Sequence, residues 1–569
     1  MPTNFFRNAA LSVCSAFLLY LSFPNVIHPF GFWPLAWIFA LPLFWSLENG
    51  PYREKIFPRG QPKNFRSWIK TNREKIFSGH SRLNHFKVGV LFGWAAFALL
   101  WNWILELNVM GFLALVGLFA LQPILFCLFF RTQILPWPAR ERRGWKEYFF
   151  FVGVWIADLF YPGALWVVTE FFRSWYLGGF SWTIGYSQAF FPFSVQIADR
   201  TGSYGISFVL ITFNYCLFRA LNLRWKEHAV PASAGRRVLP YFYATAALAL
   251  LTVLSFDAVH SLTRSFGESP PHFYKICCIQ PNIDPQVKWQ KELLSEVIAQ
   301  HIHLTQMCLK TERPDLVVWP ETAIPDDFLK DFELRERVGA ITQQIGTHLL
   351  VGAAIKEAGH YYNSAVLLNK RSVVLNIYRK RNLIPFSEYA PQVKFFPFFR
   401  QIFAFKGIGF HSGTGLGIFS IRQQRVILRK DLLIKLAVGI CSESLYPQLW
   451  RSLTQQGAEV GIVMINDAWF KRPEALLLHA QGAIMRAVEN RLWIVQATNS
   501  GWTFAVDPHG WIDSKEHNGL GLNEAGFAVF TPYVTQSQTF YQQTGDIFAF
   551  FCGGFVIMNW FIFFFDRST

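Results

Sequence analysis

Long apolar stretches separated by short polar connections make up the first 256 residues, and one more lies near the end of the chain. A bilayer core of ~30 Å requires about 17–25 mostly apolar helical residues, and eight stretches fall in that range. The predicted membrane spans are 8–24, 31–47, 88–107, 109–130, 149–172, 203–222, 239–256 and 546–565. Asp158 and Glu170 interrupt the fifth span. We expect both carboxyl groups to face protein or a cavity, because an ionisable group at that depth is costly in lipid.

Between residues 257 and 545 the pattern changes to short β-rich runs separated by helical periodicity. The predicted strands are 274–279, 316–319, 349–353, 364–368, 373–378, 436–440, 461–465 and 493–497, and the predicted helices are 290–310 and 474–491. Strands that alternate with helices indicate an α/β domain with a largely buried sheet. The predicted units are therefore a membrane domain at 1–256, an extramembrane domain at 257–545 and a C-terminal span within 546–569.

The distribution of charge predicts the orientation of the spans. Lys and Arg number 53 against 37 Asp and Glu, a net charge of +16. The basic residues concentrate in 48–87, 131–148 and 219–238, whereas 25–30 and 107–109 have none. Because Lys- and Arg-rich loops stay cytoplasmic, we predict cytoplasmic termini and an extramembrane domain on the outer side. The insertion at 48–87 is either a solvated loop, which the charge pattern favours, or a surface that binds nucleic acid or anionic lipid.

Composition narrows the class of protein further. Charged residues are 16% and aromatic residues 18% of the chain, which excludes a disordered protein. Eight cysteines without a CxxC pair indicate neither a zinc ribbon nor a disulfide framework. His301 and His303 have no third ligand at a suitable spacing, so we assign them to a surface helix and predict no metal. His479 is either a hydrogen-bonded structural residue or a base.

Three reactive side chains follow predicted strands, where groups of an α/β domain tend to meet. They are Glu321, Lys380 and Cys441. Taken singly, each has an ordinary explanation: a helix N-terminal charge, a solvated cation and a packed thiol. Together they supply a base, a cation and a soft nucleophile, which is the set that covalent acyl chemistry requires.

The motifs around these residues resemble those of a known superfamily. They are Trp-Pro-Glu at 319–321, Lys380 leading to Pro-Phe-Ser-Glu-Tyr at 385–389, and Gly-Ile-Cys-Ser-Glu at 439–443. They are similar to the three catalytic motifs of the nitrilase superfamily. With its membrane spans, the chain resembles the apolipoprotein N-acyltransferase family over nearly its whole length. Two positions depart from the family pattern: Ser442 stands where Tyr is frequent, and Asn382 where His is common.

The resemblance implies a multi-span α-helical membrane domain, with about eight spans, joined to a nitrilase-like αββα sandwich. It also implies that Cys441 takes an acyl chain from a glycerophospholipid as a thioester and passes it to the N-terminal diacylglyceryl-cysteine of an apolipoprotein. Glu321 is then the general base, and Lys380 stabilises the oxyanion. The implied setting is the bacterial inner membrane with a periplasmic catalytic domain, no cofactor, no nucleic acid and a monomeric chain. A membrane-tethered amidase or nitrilase, and a non-catalytic lipid-binding membrane protein, are the alternatives.

Further residues match family positions or lie near the motifs. Glu388, Glu443 and Ser442 are expected to support the site; for the two carboxylates the alternative is pairing with Arg379, Arg381 or backbone donors. Trp289 is either at the substrate entrance or a packing aromatic, and Asn363 is expected to be a hydrogen bonder near the substrate. The aromatic segment 395–406, which holds Phe398, Phe399 and Phe403, is expected to be a mobile arm in the outer leaflet, with a buried core segment as the alternative.

Overall fold

The computed structural model describes residues 2–48, 79–131, 145–227, 239–265, 274–385, 387–389, 409–425, 430–470, 472–513, 520–534 and 538–564. The insertion predicted at 48–87 falls largely outside these residues, and the aromatic segment 395–406 lies wholly outside them. Phe398, Phe399 and Phe403 therefore have no structural description.

Helices make up most of the described residues before residue 266. They are α1 (Pro2–Ser22), α2 (Ala40–Glu48), α3 (Gly79–Leu100), α4 (Val109–Phe129), α5 (Trp145–Tyr176), α6 (Pro192–Val195), α7 (Ala198–Thr201), α8 (Ser203–Glu227) and α9 (Leu239–Ser265). Within the described residues, six helices are long and apolar enough to cross a membrane, namely α1, α3, α4, α5, α8 and α9. Each coincides with a predicted span. A further apolar helix lies within the last predicted span. Its apolar stretch, Ile547–Phe561, is shorter than those of the six helices.

The prediction of a continuous span at 31–47 is wrong. This segment consists of a 3₁₀ helix, Trp33–Trp37, followed by a break at Ile38 and then α2. Pro42 has no N–H, so it could not donate to the carbonyl of Ile38 even in a continuous helix. A break at this point therefore costs no hydrogen bond between these two residues. Asn214 of α8 satisfies the freed backbone groups: its Oδ1 accepts from Ala40 N–H at 2.9 Å and its Nδ2 donates to Ala36 O at 3.0 Å.

The carboxyl groups that interrupt the fifth span are buried inside the protein, as expected. Asp158 accepts a hydrogen bond from the Tyr215 hydroxyl at 3.0 Å and lies 3.6 Å from the Arg219 guanidinium. Glu170 accepts from the backbone N–H of Ile184 at 2.8 Å. Because polar groups in a membrane segment need protein partners, these contacts explain how α5 carries two carboxyl groups.

Two mixed sheets form the domain that follows. The strands are β1 (Ile276–Gln280), β2 (Leu316–Val318), β3 (His348–Glu357), β4 (His360–Leu368), β5 (Val374–Arg379), β6 (Ile418–Arg425), β7 (Lys430–Ile440), β8 (Val460–Ile465), β9 (Trp493–Thr498), β10 (Phe504–Val506), β11 (Ile512–Asp513) and β12 (Gly526–Phe530). The first sheet has the order β12-β1-β2-β3-β4-β5 and the second β11-β10-β9-β8-β7-β6. Strands β1, β2 and β3 run parallel, as do β7, β8 and β9.

Helices cover the outer faces of the two sheets. They are α11 (Leu294–Thr311), α12 (Phe332–Ile345), α13 (Pro447–Gln455) and α14 (Pro473–Asn490). Two short helices, α10 (Pro285–Lys288) and α15 (Phe540–Thr544), are also present, and the C-terminal helix α16 (Ile547–Phe564) packs against α5 of the membrane part. Alternate residues of each strand face opposite sides: Cys278 lies in the core between the sheets, whereas Cys277 packs beneath α11 and α12. This arrangement confirms the predicted αββα sandwich.

Helix α14 joins the sandwich to the membrane helices. Every residue from Glu474 to Asn490 is buried, and its apolar residues share one core with residues of the membrane part. Gln481 Nε2 donates to Tyr186 O at 3.0 Å, and Arg486 donates to the Tyr186 hydroxyl at 2.9 Å. The second sheet therefore has the membrane domain as part of its outer cover.

Candidate active site

The ends of three strands bring the predicted reactive residues to one place. Glu321 lies in the turn after β2, Lys380 directly follows β5, and Cys441 directly follows β7. Glu321 is 6% exposed, Lys380 0% and Cys441 8%. Strands β2 and β5 belong to one sheet and β7 to the other. The site therefore lies between the two sheets, at one end of the sandwich.

Lys380 is held between two carboxylates. Its Nζ lies 2.9 Å from Glu388 Oε2 and 4.0 Å from Glu321 Oε1. Burial by itself lowers the pKa of the Lys380 ammonium, but the charges of Cys441 and Glu388 outweigh burial and raise it. The amine is therefore a cation at neutral pH, and it interacts electrostatically with Cys441.

Asn363 connects the two carboxylates. It lies on β4, and its Nδ2 donates to Glu321 Oε1 at 2.7 Å and to Glu388 Oε1 at 3.3 Å. Its backbone carbonyl also accepts from Lys380 N–H at 2.8 Å. Asn363 is thus a hydrogen bonder that orients the Glu321 and Glu388 carboxylates.

Cys441 begins a 3₁₀ helix at the end of β7 and has φ of 55°. This left-handed conformation is uncommon for a residue with a side chain, and it turns the chain sharply at the thiol. Burial raises the pKa of Cys441 well above its usual range; the charge of Glu321 raises it further and that of Lys380 lowers it. Both neighbours therefore interact with the sulfur electrostatically, and ionisation of the thiol requires a proton acceptor.

Glu443 links the turn that carries Cys441 to the segment that follows Lys380. Its Oε1 accepts from the Tyr378 hydroxyl at 2.8 Å and from the backbone N–H groups of Arg381 and Asn382 at 2.9 and 3.0 Å. Its Oε2 accepts from Ile440 N–H at 2.9 Å. Glu443 thus pairs with three backbone donors and the Tyr378 hydroxyl, so the alternative of backbone pairing is observed for this carboxylate.

Glu321 has the properties of a base. Burial raises its pKa, the Lys380 charge lowers it, and the Glu388 charge raises it. A carboxylate whose pKa is raised is a better proton acceptor for a thiol.

The remaining predicted residues lie around this centre. Ser442 is buried, and its hydroxyl has no hydrogen-bond partner within the described residues. Trp289 is half-buried and directly follows α10. His301 is buried against Trp319, with ring centroids 5.0 Å apart, so its assignment to a solvated helix face is wrong.

The sequence did not show that Lys288 is buried near the site, and it left His479 as either a structural residue or a base. Lys288 is fully buried, and its Nζ donates to the backbone carbonyl of Glu321 at 2.9 Å. His479 Nδ1 lies 2.8 Å from Asp467 Oδ1, and the Asp467 charge also raises the pKa of Cys441. Both lie in segments with motif character, but neither burial nor pairing is visible in the sequence.

Comparison with known families gives two matches. The family described as carbon-nitrogen hydrolase matches residues 275–517, and the family described as apolipoprotein N-acyltransferase N-terminal domain matches residues 71–216. The first coincides with the sandwich and the second with the membrane helices.

Individual proteins are also similar to this chain. A Geobacter metallireducens protein named apolipoprotein N-acyltransferase is 28% identical over 96% of this chain and 93% of its own length. A Shewanella oneidensis protein of the same name is 25% identical over 97% and 96%. Among solved structures, an amidase from Nesterenkonia sp. is 16% identical over 50% of this chain and 96% of its own, with a TM-score of 0.33. A nitrilase-superfamily protein from Saccharomyces cerevisiae is 15% identical over 48% and 96%, with a TM-score of 0.35.

Proposed function

The chain belongs to the apolipoprotein N-acyltransferase family, and we propose on that premise that it transfers a fatty acyl chain from a glycerophospholipid to an apolipoprotein. The acceptor is the α-amine of the N-terminal diacylglyceryl-cysteine. The observation that carries the chemistry is the convergence of Glu321, Lys380 and Cys441 at one end of the sandwich.

In the first half-reaction, Cys441 attacks the ester carbonyl of the phospholipid. Because burial disfavours the free thiolate, the thiol proton passes to Glu321 as the carbon–sulfur bond forms. The carbonyl oxygen becomes an oxyanion, which the Lys380 ammonium and a backbone N–H near Ser442 stabilise. Collapse releases a lysophospholipid, which takes the proton from Glu321, and leaves an acyl thioester on Cys441.

In the second half-reaction, the acceptor amine attacks the thioester carbonyl. Glu321 accepts the amine proton, and the sulfur leaves and is protonated again. The product is the N-acylated lipoprotein, and the two steps form a ping-pong sequence. Neither step consumes a nucleotide or requires a cofactor.

We further propose that the site lies on the periplasmic side of the bacterial inner membrane, with cytoplasmic termini and a monomeric chain. The burial of α14 between the sandwich and the membrane helices supports a fixed position of the site next to the outer leaflet. The basic loops support the orientation of the spans, with the site on the outer side. We expect no nucleic-acid partner. The bilayer supplies the donor and also the acceptor, whose diacylglyceryl group anchors it.

Intact-protein mass spectrometry tests the proposal. We expect the full chain in detergent, given a defined phosphatidylethanolamine, to gain the mass of one acyl chain, and Cys441→Ala to gain none. Cys14→Ala is the matched control, because Cys14 is an exposed cysteine outside the site and its loss should leave the adduct intact. Added diacylglyceryl-cysteine peptide should then discharge the adduct as N-acyl peptide. Release of free fatty acid in place of N-acyl peptide would identify a hydrolase, and absence of any adduct would reject the thioester.

A further inference from the structure

A buried lysine lies beneath the turn that carries Glu321. Lys288 is the last residue of α10, is 0% exposed, and donates from Nζ to the Glu321 backbone carbonyl at 2.9 Å. Among the described residues, no carboxylate oxygen lies within 4.0 Å of this nitrogen. A buried ammonium without a direct counter-ion costs free energy, so its place beside a reactive carboxylate needs an explanation.

The surroundings of Lys288 leave Glu321 as its main electrostatic partner. On α11, His301 has its Nδ1 2.8 Å from Val297 O, and burial together with Lys288 lowers the pKa of His301 to about 3. His301 is therefore neutral. Lys380 and Glu388 lie on the other side of the Glu321 carboxylate.

The turn itself is confined from the opposite side. A Cβ at Gly352 of β3 would lie 2.2 Å from Pro320 O and 2.8 Å from Glu321 Cα. The next residue in the turn, Thr322, has φ of 46°. The Glu321 backbone is thus held between the bare backbone of β3 and the Lys288 ammonium, which leaves it little freedom to move.

We propose that Lys288 is a positioning residue: its nitrogen fixes the backbone of the Glu321 turn, and its positive charge favours the ionised Glu321 carboxylate. This inference rests on the proposed role of Glu321 as general base. Burial lowers the pKa of Lys288 to about 7, with the Glu321 charge opposing the change. The lysine charge in turn lowers the pKa of Glu321, against the larger effect of burial. Below about pH 7, the charge on Lys288 therefore helps Glu321 to stay ionised.

The rate of Cys441 acylation as a function of pH tests the charge effect. Removal of a neighbouring positive charge raises a carboxyl pKa by about one unit or more. Lys288→Met and Lys288→Gln should therefore move the acid limb of the acylation rate to higher pH by about one unit. Lys288→Arg should restore the wild-type limb, because its charge is permanent. Lys275→Met is the matched control: Lys275 is partly exposed, pairs with Glu312 at 2.8 Å and should leave the limb in place.

The two neutral variants keep the test open if one of them does not fold. A purely structural role predicts lower thermal stability or a uniform rate loss, with the acid limb unmoved in whichever neutral variant folds. That result overturns the inference, as does an upward shift in Lys288→Arg equal to that of the neutral variants. Absence of acylation in the wild-type enzyme is a different outcome, because it rejects the proposed function itself.

Discussion

Substitution of Glu443 by Gln should weaken the link between the turn that carries Cys441 and the segment that follows Lys380. The carboxylate accepts four hydrogen bonds, three at Oε1 and one at Oε2. An amide that keeps its oxygen at the Oε1 position places an NH₂ group against Ile440 N–H. A buried donor left without an acceptor costs about 1–3 kcal/mol, and three charge-assisted bonds become weaker neutral ones. The substitution also removes a buried charge, and the desolvation cost of that charge is no longer paid. We expect a net destabilisation of about 3 kcal/mol.

The consequence for activity follows from geometry. Cys441 lies between Ile440 and Glu443 in the chain, and the Arg381 and Asn382 backbone follows Lys380 directly. A displacement of about 1 Å between reacting groups can cost about 100-fold in rate. We therefore expect Glu443→Gln to slow thioester formation by about 10- to 100-fold and to lower the thermal unfolding midpoint by several degrees.

The assay combines a fixed-rate thermal scan of the full chain in detergent with single-turnover acylation followed by intact mass. Tyr378→Phe is the matched control, because it removes one of the four donors and leaves the three backbone contacts. It should cost about 1.5–3 kcal/mol, with a much smaller loss of rate than Glu443→Gln. If Glu443→Gln matches the wild type in both measurements, or if Tyr378→Phe is equally damaging to the rate, the carboxylate is not the link described here.

Three further substitutions test other parts of the structure. Asn363→Leu removes a hydrogen bond that lowers the pKa of Glu321; because the base acts only when ionised, acylation should fall at a higher pH than in the wild type, and an unmoved acid limb contradicts this. Gly352→Ala should displace the Glu321 turn, because the new Cβ would lie 2.2 Å from Pro320 O; a normal acylation rate would show that the turn has room. Asn214→Leu leaves Ala40 N–H and Ala36 C=O without their side-chain partner. Because both groups are buried, we expect about 2–4 kcal/mol of destabilisation, measured as a lower unfolding midpoint with the pH profile of acylation unchanged. An unchanged midpoint would mean that other groups satisfy the backbone at the break.

Local patterns predicted the strand ends and hence the reactive centre. Runs such as 436–440 are apolar and β-branched, and a reactive residue directly after each run is readable from the sequence. The predicted strands correspond to β1–β5 and β7–β9. The prediction missed the edge strands β6, β11 and β12, which are polar or brief, and the inner strand β10, which has only three residues and carries little periodicity.

Features that depend on distant partners could not be predicted. The break before α2 is stable because Asn214, far along the chain, satisfies its backbone groups. The function of Glu443 depends on backbone N–H groups, which have no sequence signature. The burial of Lys288 is not visible in its short polar segment, and only the fold places it under Glu321.

The complete burial of α14 has a consequence for how the enzyme can be taken apart. The domain boundary suggests that the chain could be truncated near residue 273. The sandwich that remains would lack the membrane helices that cover one side of α14. Without the membrane helices, the outer side of α14 loses its apolar neighbours, and Gln481 and Arg486 lose their partner Tyr186. We therefore expect an excised sandwich to expose an apolar, partly charged surface to water and to aggregate. The lipid-embedded half is thus a structural requirement for the nucleophile-bearing sheet as well as its anchor.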